Sequence, residues 1–128
     1  MKQPMPPRKK LIGVGSSLRD LHEMPKQVRA AFGNALWMVQ LGAHPADSRR
    51  FGEGLPREVL KLAENHDGDT YRAAFVADFP ECVYLLHVFK KKSTSGIATP
   101  KPAIETIRAR FAAAREHHRL HFASKNEQ

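Results

Sequence analysis

Cys82-Val83-Tyr84-Leu85-Leu86-His87-Val88-Phe89, running straight into Lys90-Lys91-Lys92, is the stretch that decides the fold. It is almost wholly apolar yet too short for a typical buried helix. Turn residues precede it and charge follows it, so it reads as an inner strand covered on both faces. Immediately upstream, Tyr71, Ala73, Phe75 and Ala77 alternate with Arg72, Ala74 and Val76, the period of a second strand. Asp78 to Glu81 forms the turn between the two. His66-Asp67-Gly68-Asp69 carries the Asp-Gly pair that supplies positive-φ positions for a hairpin, and Val59 to Glu64 before it reads as a third strand. Three consecutive strands joined this way make an antiparallel meander.

Outward toward the N-terminus, Leu11-Ile12-Gly13-Val14 reads as a first short strand. Ser16-Ser17 signals a helix start, with Leu18, Leu21 and His22 in one helical turn. Pro25 fits the first position of a longer helix. There Val28, Ala31, Phe32, Ala35, Leu36 and Val39 form an apolar stripe, Trp37 and Met38 continue its edge as packing residues, and Gly42 closes it. Ala43 to Pro56 is polar and reads as loop. On the other side, Lys90 to Thr99 is a basic loop. Thr99-Pro100 opens a helix whose stripe is Ile104, Ile107, Phe111 and Ala114, with Arg108, Arg110, Arg115 and Arg119 on other faces. The expected order is β-α-α-β-β-β-α: a small α+β domain, an antiparallel sheet with helices packed on one face. Residues 1–9 are expected to be a flexible basic arm, 10–122 the domain and 123–128 a tail.

The 128 residues suit one domain, and a hydrophobic content of 41% is enough for a core. No run of 18 apolar residues offers a membrane span, and the expected compartment is the cytoplasm. A single cysteine, Cys82, excludes an internal disulfide and a thiolate zinc site. The net charge of +8 points to a polyanionic partner. The charge is uneven. Residues 1–45 hold seven basic groups against two acidic, 46–81 five against eight, and 82–128 nine against three.

Chemistry is concentrated at the end of the apolar strand. The strand fixes where Lys90, Lys91 and Lys92 emerge, and such a group holds a phosphate chain; a solvated strand end that discourages edge pairing has the same look. Arg72 is the one basic residue between Lys61 and Lys90. A lone mid-strand arginine commonly pairs with a carboxylate, here Glu58 or Glu64, but its planar fork also suits a phosphate gaining charge in a transition state. His87 reads first as a buried, satisfied histidine, with acid or base chemistry as the alternative. His117 and His121 have i, i+4 spacing without an accompanying carboxylate, a poor metal site. Phosphate-cradling glycine loops, Gly-x-Ser-x-Gly and Cys-x-x-Cys motifs are all absent from the sequence.

Three pieces together resemble the phage-derived HigB-like toxins of the RelE/ParE superfamily. They are Gly33-Asn34-Ala35-Leu36-Trp37-Met38-Val39-Gln40-Leu41-Gly42, Tyr71-Arg72 within a strand, and Leu86-His87-Val88-Phe89-Lys90-Lys91-Lys92-Ser93 followed by Thr99-Pro100. The resemblance covers about residues 10–115. It implies the toxin of a type II toxin–antitoxin pair, a ribosome-dependent mRNA endoribonuclease. A ribose 2′-OH would attack the adjacent phosphodiester without metal or other cofactor. The implied partners are a helix-turn-helix, HigA-like antitoxin, the ribosome and mRNA. Catalysis would fall to Arg72, Lys90, Lys91 and Lys61, with Lys92, Arg108, Lys101 and Arg115 holding RNA. Where relatives show a Glu-x-Arg-like pair this chain has Lys61 and Ala63, so Lys61 supplies the replacement charge.

The same superfamily implies an alternative, a non-catalytic nucleic-acid binder or a ParE-like gyrase inhibitor, because one fold hosts both chemistries. The nuclease reading makes a spatial demand. Arg72 and the lysines must share an open hollow, rather than face opposite sides or have the guanidinium locked against an acid.

Overall fold

In the computed structural model, residues 8–45, 48–91 and 98–122 are described. The elements are β1 (Lys10–Gly13), α1 (Ser17–His22), α2 (Lys26–Gln40), β2 (Arg49–Arg50), β3 (Leu60–His66), β4 (Asp69–Val76), β5 (Cys82–Lys91) and α3 (Lys101–His121). They build an α+β domain around a five-stranded sheet in the order β1-β5-β4-β3-β2. The expected meander is its centre: β3 and β4 pair antiparallel around an Asp67-Gly68 turn whose φ angles are 53° and 81°, and β5 pairs antiparallel with β4.

The sheet differs from expectation in two ways. It is mixed, because β1 runs parallel to β5, with Lys10 opposite Cys82 and Gly13 opposite Leu85. Helices α1 and α2 carry the chain from β1 across the sheet to β2 and β3, and the meander then returns β5 alongside β1. Helices also cover both faces rather than one. Val28, Phe32, Leu36 and Val39 of α2 pack with Leu62, Tyr71, Ala73, Phe75, Val83, Leu85 and Val88. Ile107, Phe111 and Ala114 of α3 pack on the other face with Ala74, Val76, Cys82, Tyr84 and Leu86. The reason lies in β4 and β5, which are apolar on both sides and so need two covering layers. The expected loop over 43–56 also contains the two-residue strand β2, Arg49 lying opposite Lys61 on β3.

Local signals mostly hold, with shifts at helix starts. Pro25 is the residue before α2 rather than its first. Gly42 (φ 90°) closes α2 as a Schellman end, its N–H donating to Val39 O at 2.9 Å and Ala43 N–H to Met38 O at 2.9 Å. Trp37 and Met38 are not packing residues: they are 47% and 44% exposed, on the outer side of α2. One irregularity matters for the site. Ala74 pairs with His87 but Phe75 with Leu85, so β5 carries an extra residue at Leu86.

Phe75 is fully buried between α2 and the sheet. Phe75→Ala is expected to lower unfolding free energy by about 3–5 kcal/mol, measured by urea denaturation.

Candidate functional site

β4 alternates around Arg72. Tyr71 and Ala73 belong to the α2 layer, so Arg72 points to the α3 side, as does Phe89 opposite it on β5. The same alternation places Lys61, opposite Ala74, and Lys91, two residues beyond Phe89, on Arg72's face. Lys90 emerges on the opposite face. It lies opposite Tyr71, with its Nζ 3.7 Å from Asp69 Oδ2. Of the four residues expected to act together, three are brought together and Lys90 is not.

Arg72 is 9% exposed. Its partner is neither Glu58 nor Glu64, the latter lying opposite Tyr71 and so alternating to the other face. Instead Arg72 Nη1 donates to Thr99 Oγ1 at 2.7 Å, and Glu53 Oε2 is 3.8 Å away. Thr99 in turn donates its N–H to Glu53 Oε1 at 2.7 Å and its hydroxyl to Oε2 at 2.6 Å. This relay ties the middle of β4, the loop after β2 and the residues before α3. Thr99 is therefore spent on Glu53 and does not cap the helix, whose preceding residue is Pro100.

Sequence reasoning missed Glu53. A usable signal was present in Gly52-Glu53-Gly54. All three residues have positive φ, 73°, 52° and 80°, which for the glutamate is strain of order 1 kcal/mol that the two Thr99 bonds hold in place. Burial works to raise the Glu53 pKa, but the Thr99 hydrogen bonds and the charges of Arg72 and Lys61 overcome it and hold the carboxylate below its ordinary value. Burial pushes the Lys91 ammonium down, reinforced by Arg72 and Lys61 and opposed by Glu53.

Of these groups Glu53, Lys61 and Arg72 line a hollow of about 480 Å³, together with Phe51 and Ala98. Lys61 Nζ sits 5.4 Å from the Phe51 ring centroid and also borders a second hollow with Arg49, Ala63 and Asn65. Arg108 reaches the rim, Nη1 donating to Gly54 O at 3.3 Å, and Lys101 opens α3 two residues after Thr99. Arg115 lies elsewhere, over Phe111 and in a separate hollow with Phe79 and His118. Lys92 lies outside the described residues.

His87 points to the α3 side, stacked on Phe89 at 4.9 Å, with Nδ1 3.4 Å from Arg110 Nη1. Burial and then the Arg110 charge lower its pKa to about 4, so it is neutral at pH 7. The α3 histidines make structural contacts. His117 Nδ1 is 2.7 Å from Tyr84 Oη, and His118 Nε2 is 2.6 Å from Glu81 Oε1. Among the described residues no group of three or more histidines, cysteines or carboxylates is placed to hold a metal ion.

A family profile described as "Phage derived protein Gp49-like (DUF891)" matches residues 19–112, from α1 into α3 and across the whole hollow. The chain belongs to the Gp49-like family. This is a family of RelE/HigB-like toxins from toxin–antitoxin systems, whose members are paired with an antitoxin. No curated protein matches the chain. The α+β architecture agrees with a small RelE-like domain. Among the described residues no helix is long and apolar enough to cross a membrane.

Two measurements probe this region. Thr99→Val removes the shared hydroxyl and strands buried polar groups, so it is expected to cost about 1–3 kcal/mol in urea denaturation. A histidine held below its ordinary 6.5 is protonated first in the unfolded chain, so His87 stabilises the fold fully above that value. Its contribution is lost as pH falls from 6.5 toward 4, by roughly 2 kcal/mol allowing for partial exposure. His87→Phe should flatten the stability profile over that window.

Proposed function

We propose that this Gp49-like chain is the HigB-like toxin of a type II pair and that it inhibits translation by cleaving mRNA at the ribosome, with the Arg72 hollow as its catalytic site. The observation that carries the reading is the convergence of Lys61, Arg72 and Lys91 on one face, where Glu53 is the carboxylate that lines the hollow among the described residues. Three cations against one anion leave a surplus of positive charge where a phosphodiester would sit. In the proposed reaction the ribose 2′-OH loses its proton and attacks the adjacent phosphorus. The bond to the 5′-oxygen breaks, leaving a 2′,3′-cyclic phosphate and a 5′-hydroxyl. Lys91, its pKa lowered, is the group poised to take or give a proton. Glu53 is a poorer base, since its carboxylate is held low. Arg72 would meet the charge developing on phosphorus, and Lys61, Lys101 and Arg108 would track the chain's phosphates. The ribosome would supply the positioning of the message. A helix-turn-helix, HigA-like antitoxin is the proposed partner, and the cytoplasm the proposed compartment.

A second reading is favoured by one observation: Arg72 is already engaged by Thr99, with Glu53 3.8 Å away. A substrate phosphate must compete with that pair. A chain unable to release it would act as a non-catalytic nucleic-acid binder or a gyrase inhibitor instead.

Expression in a bacterium with mapping of message ends separates these. The nuclease reading expects growth arrest and new messenger ends carrying cyclic phosphate. Arg72→Ala and Lys91→Met should each lower cleavage at least about a hundredfold. Lys90→Met should stay within a few-fold of wild type, because Lys90 lies on the other face. Intact messages with DNA damage would favour gyrase inhibition, and intact messages with salt-sensitive RNA binding a binder.

A further inference from the structure

Among the described residues four large hydrophobic side chains are exposed, and three of them, Trp37, Met38 and Leu41, lie within little more than one turn at the end of α2. They are 47%, 44% and 41% exposed, while the inner side of the same helix is fully covered by the sheet. One turn earlier the outer side is Ala30, Gly33 and Asn34, also exposed, and a Cβ at Gly33 would meet nothing within 4 Å. Large groups at one end and small ones at the other give a shallow step, against which a second helix can approach closely at its small end.

The charge on α2 itself has one sign. α2 contains no acidic residue, and Lys26 and Arg29 are exposed on its first turns. At the other end the start of the described chain is bound alongside. Lys9 N–H donates to Gln40 O at 2.9 Å, and Gln40 Nε2 donates to Lys9 O at 2.9 Å. That pairing sets Arg8 against the patch, its guanidinium carbon 4.6 Å from the Trp37 ring centroid, with Lys10 exposed next along.

We propose that the outer side of α2 is a docking surface for an acidic amphipathic helix, supplied by the antitoxin. Leucine-like residues would cover Trp37, Met38 and Leu41, and flanking carboxylates would meet Arg8 and Lys10 at one end and Lys26 and Arg29 at the other. The antitoxin as supplier rests on the toxin reading; the acidic-helix chemistry rests on α2 alone. Because α2 and Arg72 are on opposite sides of the sheet, a helix seated here leaves the hollow uncovered.

The chain has one tryptophan, and it is in the patch, so its emission reports occupancy. The intact protein is titrated with a synthetic three-heptad helix carrying leucine at a and d and glutamate elsewhere, and with the same helix carrying lysine in place of glutamate. The expected result is a saturable blue shift with the glutamate helix and at least a tenfold weaker response with the lysine helix. Met38→Ser, Leu41→Ser and Arg8→Glu should each weaken binding several-fold at unchanged urea midpoint. No shift, or equal binding of both helices, overturns the proposal. So does a shift that follows protein concentration without peptide, which would mean a second copy covers the face. Message cleavage is a separate readout, so loss of nuclease activity and loss of peptide binding identify which reading has failed.

Discussion

A strand pair that is apolar on both sides constrains everything else in this molecule. β4 and β5 cannot be left with a wet face, so helices must close over them from both directions, and a charged side chain in their middle must bring its own compensation. Arg72 is that charge. Its position on β4, one residue from Tyr71 and Ala73 of the α2 layer, aims it under the start of α3, where bulk water is largely excluded. The Gly52-Glu53-Gly54 turn answers this by carrying a carboxylate to it, with Thr99 as the link. The strained backbone at Glu53 and the unused helix-capping capacity of Thr99 are both consequences of placing one guanidinium there.

The same arrangement makes the hollow electrostatically asymmetric. Thr99 stands between Arg72 and Glu53, so the two charges are 3.8 Å apart and joined through a hydroxyl rather than locked in a two-bond fork. Such a pair orients the guanidinium yet holds it less tightly than a direct bidentate contact would. Lys61 and Lys91 add charge that Glu53 alone cannot balance, and that repulsion adds to burial, the larger cause, in making Lys91 lose its proton more readily than an ordinary lysine. An incoming phosphate would relieve that repulsion. The cations that favour an anion there also help the Thr99 hydrogen bonds to hold Glu53 ionised.

Much of this was legible in the residues, for identifiable reasons. The meander is written in period-2 alternation and in Asp67-Gly68, signals that are local and strong. Gly42 marks the end of α2 equally locally. The pairing of β1 with β5 is not local, and nothing in Leu11-Ile12-Gly13-Val14 says which neighbour it takes or in which direction. The double covering was implied by the Cys82 to Phe89 run, which already reads as buried on both faces; expecting helices on one side conflicted with that. In the site, Arg72 came from a charge set among apolar neighbours, Lys91 from the lysine run that ends the apolar strand, and Lys61 from the family resemblance. Lys90 was misplaced because a run of three lysines hides the alternation that sends its members to opposite faces. Glu53 was missed because its partner is 46 residues away and its loop has no period, although the glycines on either side of it marked an unusual turn. Trp37 and Met38 were assigned to packing as the edge of the apolar stripe, but one and two places past the buried Leu36 that edge already points outward.

The two proposed surfaces end up separated by the sheet. The cationic hollow opens beside α3, and the apolar step lies on the far side of α2. A protein that used one surface for both tasks would have its activity blocked by whatever occupied it. With two, a partner on α2 can hold the chain without touching Arg72, and silencing the hollow then requires a second contact or a change transmitted through β4 and β5. Those strands are close-packed on both faces and so can carry strain across the sheet. A segment that crosses the sheet edge would reach the hollow directly. β2 offers such a crossing, being two residues long and carrying Arg49 and Arg50 outward next to Lys61.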